Sequence, residues 1–92
     1  MSGEAETQIA LSRKPVTLRE AIKEAAGALS RLGIESARLD AEVLLAEALG
    51  ATKDKLYLDY ETPLDDGQEE RLYSLIRRRT RGEPVAYITG RR

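Results

Sequence analysis

Few side chains in this sequence could do chemistry, and their types narrow what is open to it. The 92 residues include 16 Asp and Glu, 15 Lys and Arg and four Tyr, but neither Cys nor His. That absence removes thiolate nucleophiles, disulfides, Cys/His zinc sites and imidazole acid–base catalysis together. Carboxylates remain. Asp40 and Glu42, in Arg38-Leu39-Asp40-Ala41-Glu42, come nearest to an acid–base pair, yet residues two apart on a helix point roughly 200° from each other and cannot share a substrate. Structural work suits them better: Asp40 in a first helical turn meets the positive end of the helix dipole, and Glu42 reaches Arg38 across one turn. An all-carboxylate magnesium site gains no support from this spacing.

Gly27, Gly33, Gly50, Gly67, Gly82 and Gly90 are scattered, and none belongs to a G-x-x-x-x-G-K-[ST], G-x-G-x-x-G or G-x-S-x-G pattern. Phosphate cradles and nucleophile elbows therefore have no anchor. Gly27 falls inside a helical pattern, where it costs about 1 kcal/mol relative to Ala, and close approach of a neighbouring helix is the expected reason.

Arg77-Arg78-Arg79 and Arg81 form the other concentration of chemistry. Residues 1–70 carry 8 basic against 15 acidic side chains, a balance of −7, whereas residues 71–92 carry 7 Arg against Glu83 alone, a balance of +6. Such a cluster meets phosphates, an acidic protein surface or the chain's own acidic helices. Three consecutive helical arginines fan through about 200°, so at most two share a face toward a phosphate backbone. Tyr73 is the single ring nearby, where single-strand binders interleave several. RNA is accordingly disfavoured as a partner, and Arg77, Arg78, Arg81, Glu83 and Tyr87 are the candidate contacts to a protein partner or an adjoining domain.

These residues sit on elements that read as all-α, a small bundle of four to five helices. Ala, Leu, Glu and Arg dominate, with no Phe or Trp, which is the composition of packed amphipathic helices. Residues 1–14 show no sustained period and read as a flexible tail. Residues 15–82 read as the helical domain. Thr17 and Glu20 make a capping box, after which Leu18, Ile22, Ala25, Leu29 and Leu32 follow one face to Gly33. A second helix opens after Ser36 and ends at Gly50; its wide arc of Leu39, Val43, Leu44, Leu45, Ala46, Ala48 and Leu49 predicts the central helix of the bundle. Thr52 caps a short third helix carrying Leu56, Tyr57 and Leu58. Asp65 and Gln68 open a fourth, which buries Leu72, Leu75, Ile76 and the stem of Arg79 and stops at Gly82-Glu83-Pro84. The predicted core includes Leu39, Val43, Leu44, Leu72, Leu75 and Ile76. Residues 83–92 read as the start of an interdomain hairpin, with Val85 to Ile88 strand-like and poorly ordered for want of a partner strand. The expectation is a chain cut just past a domain boundary.

Taken together, Gly33-Ile34-Glu35-Ser36-Ala37-Arg38-Leu39-Asp40-Ala41-Glu42-Val43-Leu44-Leu45, the Leu49-Gly50 stop, and Arg78-Arg79 through Gly82-Glu83-Pro84-Val85-Ala86-Tyr87-Ile88-Thr89-Gly90 resemble the N-terminal domain of the release-factor glutamine methyltransferases, the HemK/PrmC family. The resemblance covers about residues 17–90 and rests on three separated motifs in the family's order. It implies an S-adenosylmethionine-dependent parent enzyme that methylates the Gln of the Gly-Gly-Gln motif in peptide chain release factors. The family's glycine-rich cofactor loop and Asn-Pro-Pro-Tyr motif belong to a Rossmann-like methyltransferase domain that would begin after Gly90. No catalytic, cofactor-binding or metal residue carries over to this sequence. What the resemblance implies here is a non-catalytic domain that helps hold the release factor and abuts the methyltransferase domain. The rivals are an independent helical module binding RNA or a ribosomal surface through Arg77 to Arg81, and a purely structural domain. No apolar stretch approaches the ~20 residues of a membrane span, and Met1 to Lys14 lacks the order of a signal peptide. A cytoplasmic monomer away from membranes is expected.

Overall fold

The computed structural model describes residues 16–90. Among the described residues five helices succeed one another: α1 Leu18–Arg31, α2 Ala37–Leu49, α3 Lys53–Leu58, α4 Asp66–Thr80 and α5 Val85–Thr89. The expected tail at 1–14, together with Pro15, Arg91 and Arg92, lies outside the described residues. Among the described residues there is no strand, and extended pairing is confined to an isolated antiparallel bridge between Thr17 and Pro63. The all-α expectation holds.

Local chemistry sets the helix ends where the sequence places them. At α1 the Thr17 hydroxyl accepts from the Glu20 N–H at 3.2 Å, and Glu20 Oε1 accepts from the Thr17 N–H at 3.1 Å. At α4, Asp65 and Gln68 make the same reciprocal pair at 2.7 and 3.0 Å. Each box satisfies donors that a helix start leaves unpaired. Two more such donors on α1 find long-range acceptors: the Leu18 N–H reaches the Thr62 carbonyl at 3.0 Å and the Arg19 N–H that of Tyr60 at 2.9 Å. The α3–α4 connection is thereby sealed onto the start of α1. At the end of α2, Gly50 takes φ 66°, a left-handed turn that brings the N–H groups of Gly50 and Ala51 back onto the Glu47 and Ala46 carbonyls.

α2 packs against all four other described helices, as a central helix must. Ile22 and Leu29 of α1, Leu44 and Leu45 of α2, Leu56 of α3 and Leu72 of α4 are essentially without solvent exposure. Two expected core residues are not there. Leu39 is 51% exposed and Val43 only half-buried. A step of two residues turns Leu39 roughly 200° from Ala41, and it is Ala41, with Ala37 and Ala48, that faces the bundle. The wide arc is real, but its inward part alternates Leu44 and Leu45 with small Ala37, Ala41, Ala46 and Ala48 that let helices approach. Gly27 departs from expectation in the opposite sense. The atom nearest to a Cβ there is the Arg31 Nη1 of its own helix at 3.8 Å, so no neighbouring helix requires the glycine.

The strand-like reading of Val85 to Ile88 is overturned. The segment is helix α5, led in by Pro84 at φ −63° and ψ 147°, with the Tyr87 and Ile88 N–H groups donating to the Pro84 carbonyl at 3.0 and 3.1 Å. Its packing explains why. In a strand, residues three apart point to opposite faces, whereas in a helix they share one. The helix brings half-buried Val85 and buried Ile88 to the same side, where α5 meets α2 and α4. Packing outweighs the β-propensity of Val, Tyr and Ile, and the segment forms a docked helix rather than a poorly ordered one.

Candidate functional site at the arginine-rich helix end

The last turn of α4 presents four guanidinium groups, and the fold divides them into two that are engaged and two that are exposed. Arg78 holds the Glu83 carboxylate with two parallel hydrogen bonds, Nε to Oε2 at 3.0 Å and Nη2 to Oε1 at 3.1 Å. This bidentate pairing is the strong form of the interaction. The Arg78 hydrogen bonds hold the Glu83 carboxyl below the usual carboxylate range against a smaller opposing effect of burial, and the Arg81 charge adds to them.

Arg79 turns inward. Its Nε donates to Asp40 Oδ2 at 2.9 Å, and its Nη1 donates to the backbone carbonyl of Glu83 at 3.3 Å. Asp40 is buried and the Arg79 side chain is only 20% exposed. A buried carboxylate without a partner costs several kcal/mol, so Asp40 demands this arginine. The sequence offers Asp40 the helix dipole and Arg79 a buried stem, and does not name their meeting across 39 positions. The sequence carried no signal for it, because Asp40 is buried beside Ala41 only through the packing of the helices around α2.

Arg77, Arg81 and Tyr87 are exposed, Tyr87 by 63%. Of the five candidate contact residues, the fold therefore joins Arg78 to Glu83 and leaves the other three presented to solvent. Arg77 and Arg81, four apart, lie on one side of the helix end.

Glu42 lies on the other side of α2. It accepts from Arg38 Nε at 3.0 Å, as expected, and also from the Tyr57 hydroxyl at 3.1 Å, with Lys53 Nζ 3.7 Å away. Burial pushes its carboxyl up, but the hydrogen bonds from Arg38 and Tyr57 outweigh that and leave it below the usual range. Around this centre Tyr57 and Tyr60 meet edge to face at 5.4 Å, Arg38 reaches the Tyr60 hydroxyl at 3.3 Å, and the Arg19 guanidinium stands 5.1 Å from the Tyr60 ring. Asp40 and Glu42 thus serve opposite sides of one helix, and neither faces a common substrate position. Among the described residues no group of three or more carboxylates is placed to hold a metal ion. None of the described helices is long and apolar enough to cross a membrane. A cleft of about 330 Å³ opens between α2, the start of α3 and Thr89, lined in part by Val43, Glu47, Lys53 and Asp54.

Curated relatives share this sequence closely. It is 36% identical over 74 residues to the release factor glutamine methyltransferase of Geobacter sulfurreducens, covering 80% of this chain and 26% of that protein. It is 45% identical over 58 residues to the enzyme of the same name from Salmonella typhimurium, covering 63% and 21%. For the Moorella thermoacetica enzyme of that name the identity is 40% over 75 residues, covering 82% and 26%. The chain thus spans about a quarter of the length of these relatives. No solved structure matches it significantly. The family model described as the PrmC N-terminal domain matches residues 20–90, nearly all of the described residues, and the chain belongs to that family.

Proposed function

We propose that this chain is the substrate-orienting domain of a longer release-factor glutamine methyltransferase and performs no chemistry itself. The observation that carries the reading is the match of residues 20–90 to the PrmC N-terminal domain within relatives about four times as long. The named activity of those relatives is methylation of a release factor. A domain remote from the reacting amide contributes by gathering binding energy that positions the amide, which raises the rate without supplying a reacting group.

S-adenosylmethionine would be the cofactor of the full enzyme, supplying the methyl group when bound. The residues described here do not fit it. Adenosine sites of this kind need a crevice at the carboxyl ends of parallel strands closed by a glycine-rich turn, while these residues form helices, and their cleft beside α3 is walled by Glu47, Lys53 and Asp54. No step through the cofactor is assigned to this chain.

Arg77, Arg81 and Tyr87 are the contacts we assign to the release factor or the adjoining domain. Arg78 and Arg79 are engaged within the fold, which leaves RNA a short basic face and favours a protein partner. Charge reversal at Arg77 and Arg81 in the full-length enzyme tests this. Modification of the intact release factor should lose efficiency through KM, while a short peptide carrying the Gln motif is modified as before. Unchanged handling of the factor would reduce the domain to a structural role. Tight single-strand binding by this chain, with log affinity falling against log salt at about −0.7 per phosphate neutralised, would establish the RNA reading instead.

A further inference from the structure

We propose that Arg79 is a positioning residue whose forked head group fixes the direction in which the chain leaves the bundle. α5 has five residues, too few for a helix to hold its own conformation in water. Its direction must come from its anchors. One is apolar, the packing of half-buried Val85 and buried Ile88 where α5 meets α2 and α4. Two apolar contacts within one helical turn still leave so short a helix free to tilt about them. The second anchor is polar and precedes the segment. Arg79 bonds through Nε to Asp40 on α2 and through Nη1 to the Glu83 carbonyl, one residue before the Pro84 carbonyl that starts α5. One planar group therefore ties the central helix to the leading peptide of α5. Arg78 holds the side chain of the same residue, so Glu83 is clamped through both its backbone and its carboxylate.

Only an arginine at position 79 spans both acceptors, because its donors are set in a rigid fork; a lysine offers one point charge. Asp40 is buried for this purpose: it aims and holds the fork. What a following domain gains from the fixed exit rests on the function proposed above. Whether Arg79 holds α5 is measured on this chain alone, so the two can fail separately.

The test uses residual dipolar couplings of backbone N–H groups in the 92-residue chain. In the unaltered protein the couplings of Val85, Ala86, Tyr87 and Ile88 should fit the alignment tensor of α2 and α4. Arg79→Lys retains the charge facing Asp40 but cannot span to Glu83, and the α5 couplings should shrink at least twofold while α2 and α4 keep their fit. The double variant D40N/R79Q removes both charges together, leaves no buried ion unpaired, and should give the same selective loss. Couplings of α5 that still fit the common tensor in either variant would overturn the positioning role. Unfolding of both variants would also overturn it, because the pair would then belong to the stability of the whole bundle.

Discussion

Truncating Leu44 and Leu39 to alanine, one at a time, tests how α2 is seated. Leu44 has no solvent exposure, and its helix touches all the other described helices. The transfer term for a fully buried leucine is about 1.5–3 kcal/mol, and the cavity left in a site walled by several helices adds to it, so a loss of about 3–5 kcal/mol follows. Leu39 stands 51% exposed, which roughly halves the transfer term and leaves no closed cavity; its loss should stay near 1 kcal/mol or below. A domain of this size has roughly 5–14 kcal/mol in all, so the first change removes a large fraction and the second little. Urea unfolding followed by helical circular dichroism reads both. With a slope of about 1 kcal/mol per molar, the Leu44→Ala midpoint should fall by roughly 3–5 M and the Leu39→Ala midpoint by about 1 M or less, at unchanged slope. Equal losses, or a larger loss at Leu39, would mean that α2 is rotated from the orientation described and that the Asp40 and Glu42 networks are misassigned with it.

The Glu42 carboxyl is held below its ordinary value of about 4.3 by Arg38 and Tyr57 in spite of burial. The folded state therefore binds its proton less readily than the unfolded chain, and the stability it contributes is full above the ordinary value and lost as pH falls through the lowered one. Urea midpoints measured from pH 7 to pH 2 should decline over that acid range, and Glu42→Gln should flatten part of the decline; an unchanged profile in the variant would contradict the assignment. Gly27→Ala should stabilise α1 by about 0.5–1 kcal/mol, because the position is helical and the nearest atom is a flexible side chain at 3.8 Å. Gly50→Ala, at φ 66°, should instead cost about 1 kcal/mol or more, and thermal melts of the two variants should shift in opposite directions.

What could be read from the sequence by itself was what neighbouring residues decide between them. Thr17 with Glu20 and Asp65 with Gln68 close their boxes within one turn, and Gly50 stops α2 through its own backbone angle. These are local free energies, and no partner has to be known to predict them. The step of roughly 200° between Asp40 and Glu42 is likewise helical geometry, and it correctly separates the two carboxylates. Family membership was legible for a related reason, since the resemblance rests on strings of neighbouring residues such as Gly82 to Gly90. Tertiary structure decided the rest. Val85, Tyr87 and Ile88 favour a strand locally, but Val85 and Ile88 share a face only in a helix, and that face pays off only where α2 and α4 already stand to receive it. Leu39 and Ala41 are close in sequence, yet which of them faces inward depends on how near the other helices come. The charge partners of Asp40 and Glu42 differ most in this respect. Arg38 lies one turn from Glu42 and was foreseen, whereas Arg79 is 39 residues from Asp40 and Tyr57 is 15 from Glu42. Long-range pairing of buried charge is chosen by which helices pack together, and nothing in the local pattern of either partner names the other.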